Sequence, residues 1–312
     1  MTIVVISHPD CLLHDMGDMH PEQPARVQVI AQALQFSNLA SQIKNYSAEL
    51  ATREQLKRVH DPDYIEQIFQ VAPKTGLIHL DPDTAMNPHS LTAALRAAGA
   101  AVQAVDLVMS GKFNLVFCNV RPPGHHATRG QAMGFCFFNN VAVGVAHALT
   151  EYKLKRIAII DFDVHHGNGT EDIFQNDERV MLCSSFQYPF YPGSGADTIS
   201  HHILNAPLPA GAGGKEFREV VEQQWLPKLE TFQPELIFFS AGFDAHAQDV
   251  MANLQFHEED YFWVSRVIRD LAQKYAQGRM ISMLEGGYAL DVLGKSVVAH
   301  LQGCAENVVA SP

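Results

Sequence analysis

The chain has 312 residues, 47% of them hydrophobic, and a formal net charge of −12 at pH 7 with histidine neutral. That apolar share supplies a sizeable core, and a single large α/β domain can reach this length. The acidic balance and the lack of any lysine or arginine run argue against direct nucleic-acid binding, which needs cations clustered against phosphates.

In chain order, short apolar runs predict strands at residues 3–7, 115–120, 156–161, 180–184, 236–241 and 280–284. Longer amphipathic stretches predict helices between them. Residues 90–110 are alanine-rich and end at Gly111, and 139–150 follow an Asn-Asn pair suited to an N-cap. Residues 215–231 and 258–277 space their apolar residues by three and four. This alternation predicts an α/β fold in three layers, with a mainly parallel central sheet between helices. No internal repeat, low-complexity linker or compositional break divides residues 1–312, so one domain is expected.

The first residues lack a basic segment and a long apolar stretch, and read as a strand, not a signal peptide. No segment is expected to span a membrane. Cys11, Cys118, Cys136, Cys183 and Cys304 include no CxxC pair. An odd, dispersed set fits buried thiols in a reducing compartment, and the cytoplasm is the expected location. Cys136 has no base beside it in sequence and is not read as a nucleophile.

The ends of the strands carry the chemistry. In parallel sheets, ligands sit beyond the carboxyl ends of the strands. After 115–120 comes Arg121-Pro122-Pro123-Gly124-His125-His126, and after 156–160 comes Asp161-Phe162-Asp163-Val164-His165-His166-Gly167-Asn168-Gly169. After 236–240 comes Ala241-Gly242-Phe243-Asp244-Ala245-His246, and after 280–284 comes Glu285-Gly286-Gly287-Tyr288. Four strands deliver polar groups to one edge, which points to an enzyme. Asp163 and His165 are two apart, so an extended chain turns both to the same side. An oxygen and a nitrogen ligand side by side suit zinc.

Together these segments resemble the arginase/deacetylase superfamily, and within it the class II histone deacetylases and their bacterial amidohydrolase homologues. His20-Pro21-Glu22-Gln23-Pro24-Ala25-Arg26 matches the family's HPExPxR opening, and Gly134-Phe135-Cys136-Phe137-Phe138-Asn139-Asn140 follows the double histidine as it does there. The resemblance implies a zinc-dependent deacetylase acting on acetylated lysine side chains or related acetylated amines. It implies one zinc per chain, on Asp163, His165 and Asp244. Two carboxylates cancel the metal's charge, so a general base is needed beside it. By resemblance that base is His126, and His125 gives electrostatic support. Asp161 and Asn168 match the positions that orient His125 and His126, and Asn168 replaces a common Asp. Tyr288 matches the donor to the oxyanion.

Phe135, Gly134 and Tyr191 match the residues of a narrow tunnel for the acyl-lysine chain. Arg26 matches the arginine of a cavity behind the site. The family also holds structural potassium. Here that implies one site at Asp161, Asp163, His165, Ser184 and Ser185, and another at Phe174, Asp177, Val180 and His202.

Other readings are weighed against this one. An acetylpolyamine amidohydrolase keeps the chemistry and changes the substrate, but its usual dimer-building insertion is not evident before Ser90 or after Gly111. A two-manganese arginase-type enzyme lacks its extra carboxylates around Asp244. A non-catalytic binder is expected to lose His126 or Tyr288. The oligomeric state stays open. Of the other histidines, His14 and His20 are candidates for the active-site rim, and His246 is expected to point elsewhere. His8, His60, His79, His89, His147, His201, His257 and His300 are expected at the surface or at caps. Phe137, Phe138, Trp225 and Trp263 are expected in the core.

Overall fold

The computed structural model describes residues 1–305. The described residues contain ten strands: β1 (Ile3–Ser7), β2 (Ile43–Ser47), β3 (Ile78–His79), β4 (Ala85–Met86), β5 (Leu115–Cys118), β6 (Ile157–Asp161), β7 (Val180–Gln187), β8 (Ile203–Leu208), β9 (Leu236–Ala241) and β10 (Met280–Leu284). Eight form one sheet in the order β2-β1-β5-β10-β9-β6-β7-β8, and every pairing in it is parallel. β3 and β4 form a small antiparallel hairpin beside it.

A parallel sheet is covered on both faces, so its strands read as unbroken apolar runs and not as alternation. The period of two still decides which layer each residue joins. Val4, Val116, Ile159, Phe238 and Ile281 face one core, with the helices Ser90–Met109 and Asn140–Glu151. Ile3, Phe117, Ile160, Phe239 and Met280 face the other, with Ala25–Phe36, Glu258–Tyr275 and Leu290–Ala305.

Several boundaries differ from the sequence expectation for local reasons. The third predicted strand's upstream neighbour, expected to reach residue 120, ends at Cys118, where the backbone turns into the double-histidine loop. β7 runs on to Gln187, because β8 lies alongside its second half. The stretch expected as one helix at 215–231 is two seven-residue α-helices joined by a wider π turn, Val221–Trp225. Pro227 just beyond has no N–H to bond backward, and the wide turn absorbs the mismatch. The Ser90–Met109 helix is, against expectation, long and apolar enough by composition to cross a membrane. It is instead a core helix, with Ala94, Ala97, Ala101 and Val105 packed against the sheet. Its small side chains let it lie close to its neighbours.

The expected surface or capping histidines divide. His60 is buried and accepts the Asn139 N–H at Nε2. His147 is buried beside Asp106 and Arg58. His300 is fully buried between Ser282 Oγ (2.8 Å) and Ser265 Oγ (2.6 Å), and burial lowers its pKa to about 3. Two hydroxyls from different elements satisfy both ring nitrogens, a pairing invisible in one dimension. Trp225 is buried, while Trp263 is only partly so, under Arg218. All five cysteines are free and buried.

One buried polar cluster ties the first loop to the double-histidine loop. Glu22 takes Arg121 Nε and Nη2, each at 2.6 Å, with Arg26 Nη1 at 3.2 Å and His14 Nε2 at 3.3 Å. Arg121 also donates to the Cys11 and His14 carbonyls. His14 is therefore a buried structural group and not part of the rim. Burial alone would raise the Glu22 pKa, but Arg121, then His14 and Arg26, hold it well below the ordinary 4.5. This stabilisation is present above the ordinary carboxylate value and is lost as pH falls through the depressed one. Glu22→Gln leaves two guanidiniums buried without a counter-charge and should lower unfolding free energy by about 3–5 kcal/mol, read by urea denaturation. A loss under about 1 kcal/mol would remove this cluster as a structural anchor.

Candidate active site

The four strands that end in chemistry, β5, β10, β9 and β6, are immediate neighbours in the sheet. Their carboxyl ends bring His125 and His126, Glu285 to Tyr288, Asp244, and Asp161 to His165 into one place.

Asp163, His165 and Asp244 are all buried, and their ligand atoms lie within 4.8 Å of one another. His165 Nδ1 lies 3.1 Å from Asp163 Oδ1 and 3.3 Å from Asp244 Oδ2. Backbone amides hold the other oxygens. Asp163 Oδ2 accepts the Gly286 N–H at 2.8 Å, and Asp244 Oδ1 accepts the Val164 N–H at 2.9 Å. Asp244 Oδ2 is buried and has no hydrogen-bond partner. An acceptor without a donor in a dry site is costly unless a cation takes it. Two carboxylates and one imidazole, one oxygen left over, fit a zinc-type donor set with room for further ligands. Gly286 lies against this trio: a Cβ there would sit 2.0 Å from Asp244 Oδ2 and 2.6 Å from Asp163 Oδ2.

The two histidines differ in their support. His125 Nδ1 donates to Asp161 Oδ2 at 3.0 Å. Burial works against its charged form, yet Asp163 and Asp161 together hold its pKa well above the ordinary 6.5. His126 Nδ1 donates to the Asn168 carbonyl oxygen at 2.7 Å. Asn168 Nδ2 donates to Met133 Sδ at 3.3 Å, which fixes the amide's orientation. Burial first, then His125 and His165, push the His126 pKa well below 6.5. With its proton on Nδ1, neutral His126 presents a free lone pair at Nε2. Its ring centroid is 5.8 Å from that of His165.

Tyr288 is half-buried, and its backbone N–H is held by Asp249 Oδ2 at 2.6 Å. Among the described residues its hydroxyl has no hydrogen-bond partner, so its O–H is available to a ligand. Arg26 lies over its ring at 4.8 Å and donates to the Gly287 carbonyl at 2.6 Å and the Glu285 carbonyl at 2.5 Å. Phe135 meets Tyr288 edge-on at 5.9 Å and His20 at 4.7 Å, which places His20, unlike His14, at the rim. The Gly134 backbone lies directly against the His126 ring, with no space for a Cβ. Tyr191 is edge-on to His126 at 5.3 Å and to His165 at 5.9 Å.

The expected potassium residues fall in two groups. Ser184 pairs in register with Asp161, Ser185 follows it, and the buried Ser184 hydroxyl has no partner. At the other group, the Phe174 carbonyl already accepts the Asp177 N–H and lies 3.3 Å from His202 Nε2, while the Asp177 carbonyl accepts the Val180 N–H. A separate trio, His246, His257 and Glu258, has ligand-type atoms close together. His246 Nδ1 accepts the Gln248 N–H and its Nε2 lies 3.4 Å from Glu258 Oε2, so both ring nitrogens are already engaged. His246 indeed turns away from the main site.

Sequence reasoning missed five contributors. Glu285 is fully buried and accepts the N–H groups of Gly124 (2.7 Å) and His125 (3.1 Å); burial pushes its pKa up to about 7. Its signal was an acid closing an apolar strand. Phe190 stacks on His165 at 5.7 Å. Asp249 holds the Tyr288 backbone. Asp81 and Asp83 stand on the hairpin turn, where the Asp83 carbonyl lies 3.3 Å from His20 Nε2 and Thr84 Oγ1 accepts the Phe135 N–H; burial, then the contact with Asp81, raise the Asp83 pKa. The Asp81-Pro82-Asp83 turn was legible as acidic but not as part of the mouth.

The fold and the cluster define a three-layer α/β enzyme with its site at the carboxyl edge of a parallel sheet. Residues 20–304 match the histone deacetylase domain model. The chain is 36% identical over 294 residues to the histone deacetylase-like amidohydrolase of Pseudomonas aeruginosa, covering 91% of this chain and 77% of that one. It is 32% identical to a probable deacetylase of Archaeoglobus fulgidus, covering all of this chain and 89% of that one. It spans only 21% of a Dictyostelium discoideum type-2 histone deacetylase 2, at 35% identity. The solved HD domain of HDA15 superposes with a TM-score of 0.90 at 30% identity, covering 99% of this chain and 90% of that one. The chain belongs to the histone deacetylase family, whose members include deacetylases and amidohydrolases.

Because Gly286 touches both carboxylates, Gly286→Ala should lower deacetylase turnover by roughly 10²-fold while far-UV circular dichroism stays native. Unchanged turnover would show that this close approach does not matter.

Proposed function

We propose that this chain is a zinc-dependent deacetylase that hydrolyses the acetyl amide of an acetylated lysine side chain. The observation that carries the reading is the unpartnered Asp244 Oδ2 within the buried Asp163–His165–Asp244 trio, set beside a neutral His126 with a free Nε2. Bound there, zinc would polarise the amide carbonyl and acidify water. His126 Nε2 takes the proton from the attacking water and returns it to the leaving amine. His125, hydrogen-bonded to Asp161, places positive charge beside the developing oxyanion. The Tyr288 O–H donates to that oxyanion. Phe135, Tyr191 and Phe190 exclude water and hold the methylenes of the lysine chain. A monovalent cation such as potassium fits the Asp161, Asp163, His165, Ser184 and Ser185 set, where the Ser184 oxygen has no protein donor. The other potassium set offers no comparable unpaired side chain and carries less weight.

Asp81 and Asp83 give the mouth a negative field that favours a cationic or donor-rich portion beyond the acyl chain. The same field supports a second reading, an acetylated polyamine. A panel of acetyl-lysine peptides, acetylputrescine and acetylspermidine compared by kcat/KM separates them. Peptides are expected to lead; acetylpolyamines ahead by tenfold or more would reverse the choice.

Asp244→Ala and His165→Ala should lose zinc, measured by metal analysis after dialysis, and activity with it. Full metal and full activity in both would reject the site. His126→Ala should cut kcat by about 10²–10⁴-fold with metal retained. Tyr288→Phe should cut kcat by about 10²–10³-fold. An effect of Tyr288→Phe confined to KM would make Tyr288 a binding residue instead.

A further inference from the structure

The segment between β7 and β8, residues 188–200, has no helix or strand. It is half-buried to exposed along its length, yet it carries Phe190 and Tyr191, the two aromatics set against His165 and His126. Its position therefore sets one wall of the site. Its attachments are few. Tyr188 N–H donates to the Leu208 carbonyl at 2.8 Å. From there to Thr198, every hydrogen bond joining the segment to the body, among the described residues, runs to one polar cluster.

That cluster is His166, Glu171 and Asn205. His166 Nδ1 lies 2.9 Å from Ser194 Oγ. Thr198 Oγ1 donates to Glu171 Oε1 at 2.7 Å. Asn205 Nδ2 donates to the Gly195 carbonyl at 3.0 Å. Glu171 Oε2 joins the three, with His166 Nε2 at 2.8 Å and Asn205 Nδ2 at 2.6 Å. Gly195 presses on the His166 ring: its φ is +88°, and a Cβ would meet three ring atoms at 2.6–2.7 Å. The segment is thus fitted to the cluster by shape as well as by hydrogen bonds.

We propose that Glu171 is a positioning residue that determines acyl-chain selectivity by anchoring the 188–200 segment, and hence Phe190 and Tyr191, without touching substrate. This rests on the deacetylase reading above. Glu171 is the common acceptor for donors from the body (His166, Asn205) and from the segment (Thr198). Removing it frees three donors, cuts the Thr198 link, and leaves His166 and Asn205, which hold Ser194 and Gly195, without the acceptor that orients them. A wall so released admits wider acyl groups and grips a slender one less well.

The substitutions have different expected outcomes. In Glu171→Gln the amide oxygen can replace Oε2, and its NH2 can donate to the Thr198 hydroxyl, so the anchor is kept. In Glu171→Ala it is lost. In Thr198→Val only the Thr198–Glu171 link is cut, which leaves the helix Asn168–Phe174 untouched. Two readouts are taken on the full chain: backbone hydrogen exchange of residues 188–200, and kcat and KM for acetyl-lysine and butyryl-lysine peptides.

Glu171→Ala and Thr198→Val should speed exchange of the segment and raise KM for the acetyl peptide about five- to tenfold, with kcat within about twofold. The butyryl-to-acetyl ratio of kcat/KM should rise, and Glu171→Gln should behave as wild type. Unchanged exchange in both variants would overturn the anchor. Faster exchange with unchanged KM and acyl preference would overturn the selectivity role. A fall in kcat alone would assign Glu171 to support of Asn168 instead. If the wild type hydrolyses no acyl-lysine peptide, the deacetylase reading fails, and segment exchange alone then decides the anchor.

Discussion

Two carboxylates, Asp163 and Asp244, are buried within one cluster, and most of the surrounding structure answers that fact. Like charges in a dry site repel strongly and lose hydration. Compensation comes from backbone amides at the carboxyl ends of neighbouring strands: Gly286 N–H for one acid, Val164 N–H for the other. It also comes from His165 between them. Apart from the 3.3 Å approach of His165 Nδ1, Asp244 Oδ2 has no hydrogen-bond partner, which is where a cation fits.

Support for this cluster is layered. Glu285 binds the backbone of Gly124 and His125, so β10 fixes the loop that follows β5. Arg26 holds the carbonyls of Glu285 and Gly287 and so steadies the turn that presents Tyr288. Glu22 in turn binds Arg26 and Arg121. The opening motif therefore reaches the site through two guanidiniums, and it does so from behind the sheet edge. Densely paired networks of this kind rigidify a site.

The histidine pair shows how environment separates two identical side chains. His125 faces carboxylates and is held toward its charged form. His126 faces an amide and other histidines and is held toward its neutral form. Asn168, in place of a carboxylate, orients His126 without adding negative charge. One histidine is thus suited to accept a proton and the other to supply positive charge, with no conformational change needed.

Much of this was legible in the sequence. Unbroken apolar runs followed by His, Asp and Gly clusters identified the central strands and the edge at which they deliver chemistry, because charged groups on a buried parallel strand collect at its end. The ordered motifs identified the family and gathered Asp163, His165, Asp244, His125, His126 and Tyr288 into one site. The tertiary structure decided what depends on neighbours in space. It made β5, β10, β9 and β6 adjacent, although they lie far apart in the chain. It buried His14 under Glu22 and His300 between two serines, because a histidine's burial depends on donors and acceptors from other elements. It placed the Asp83 turn against His20 and Phe135, and it tied the Tyr191 segment to Glu171. Strand periodicity and local turn chemistry are written along the chain; the pairing of buried polar groups across the sheet is a property of the packed structure.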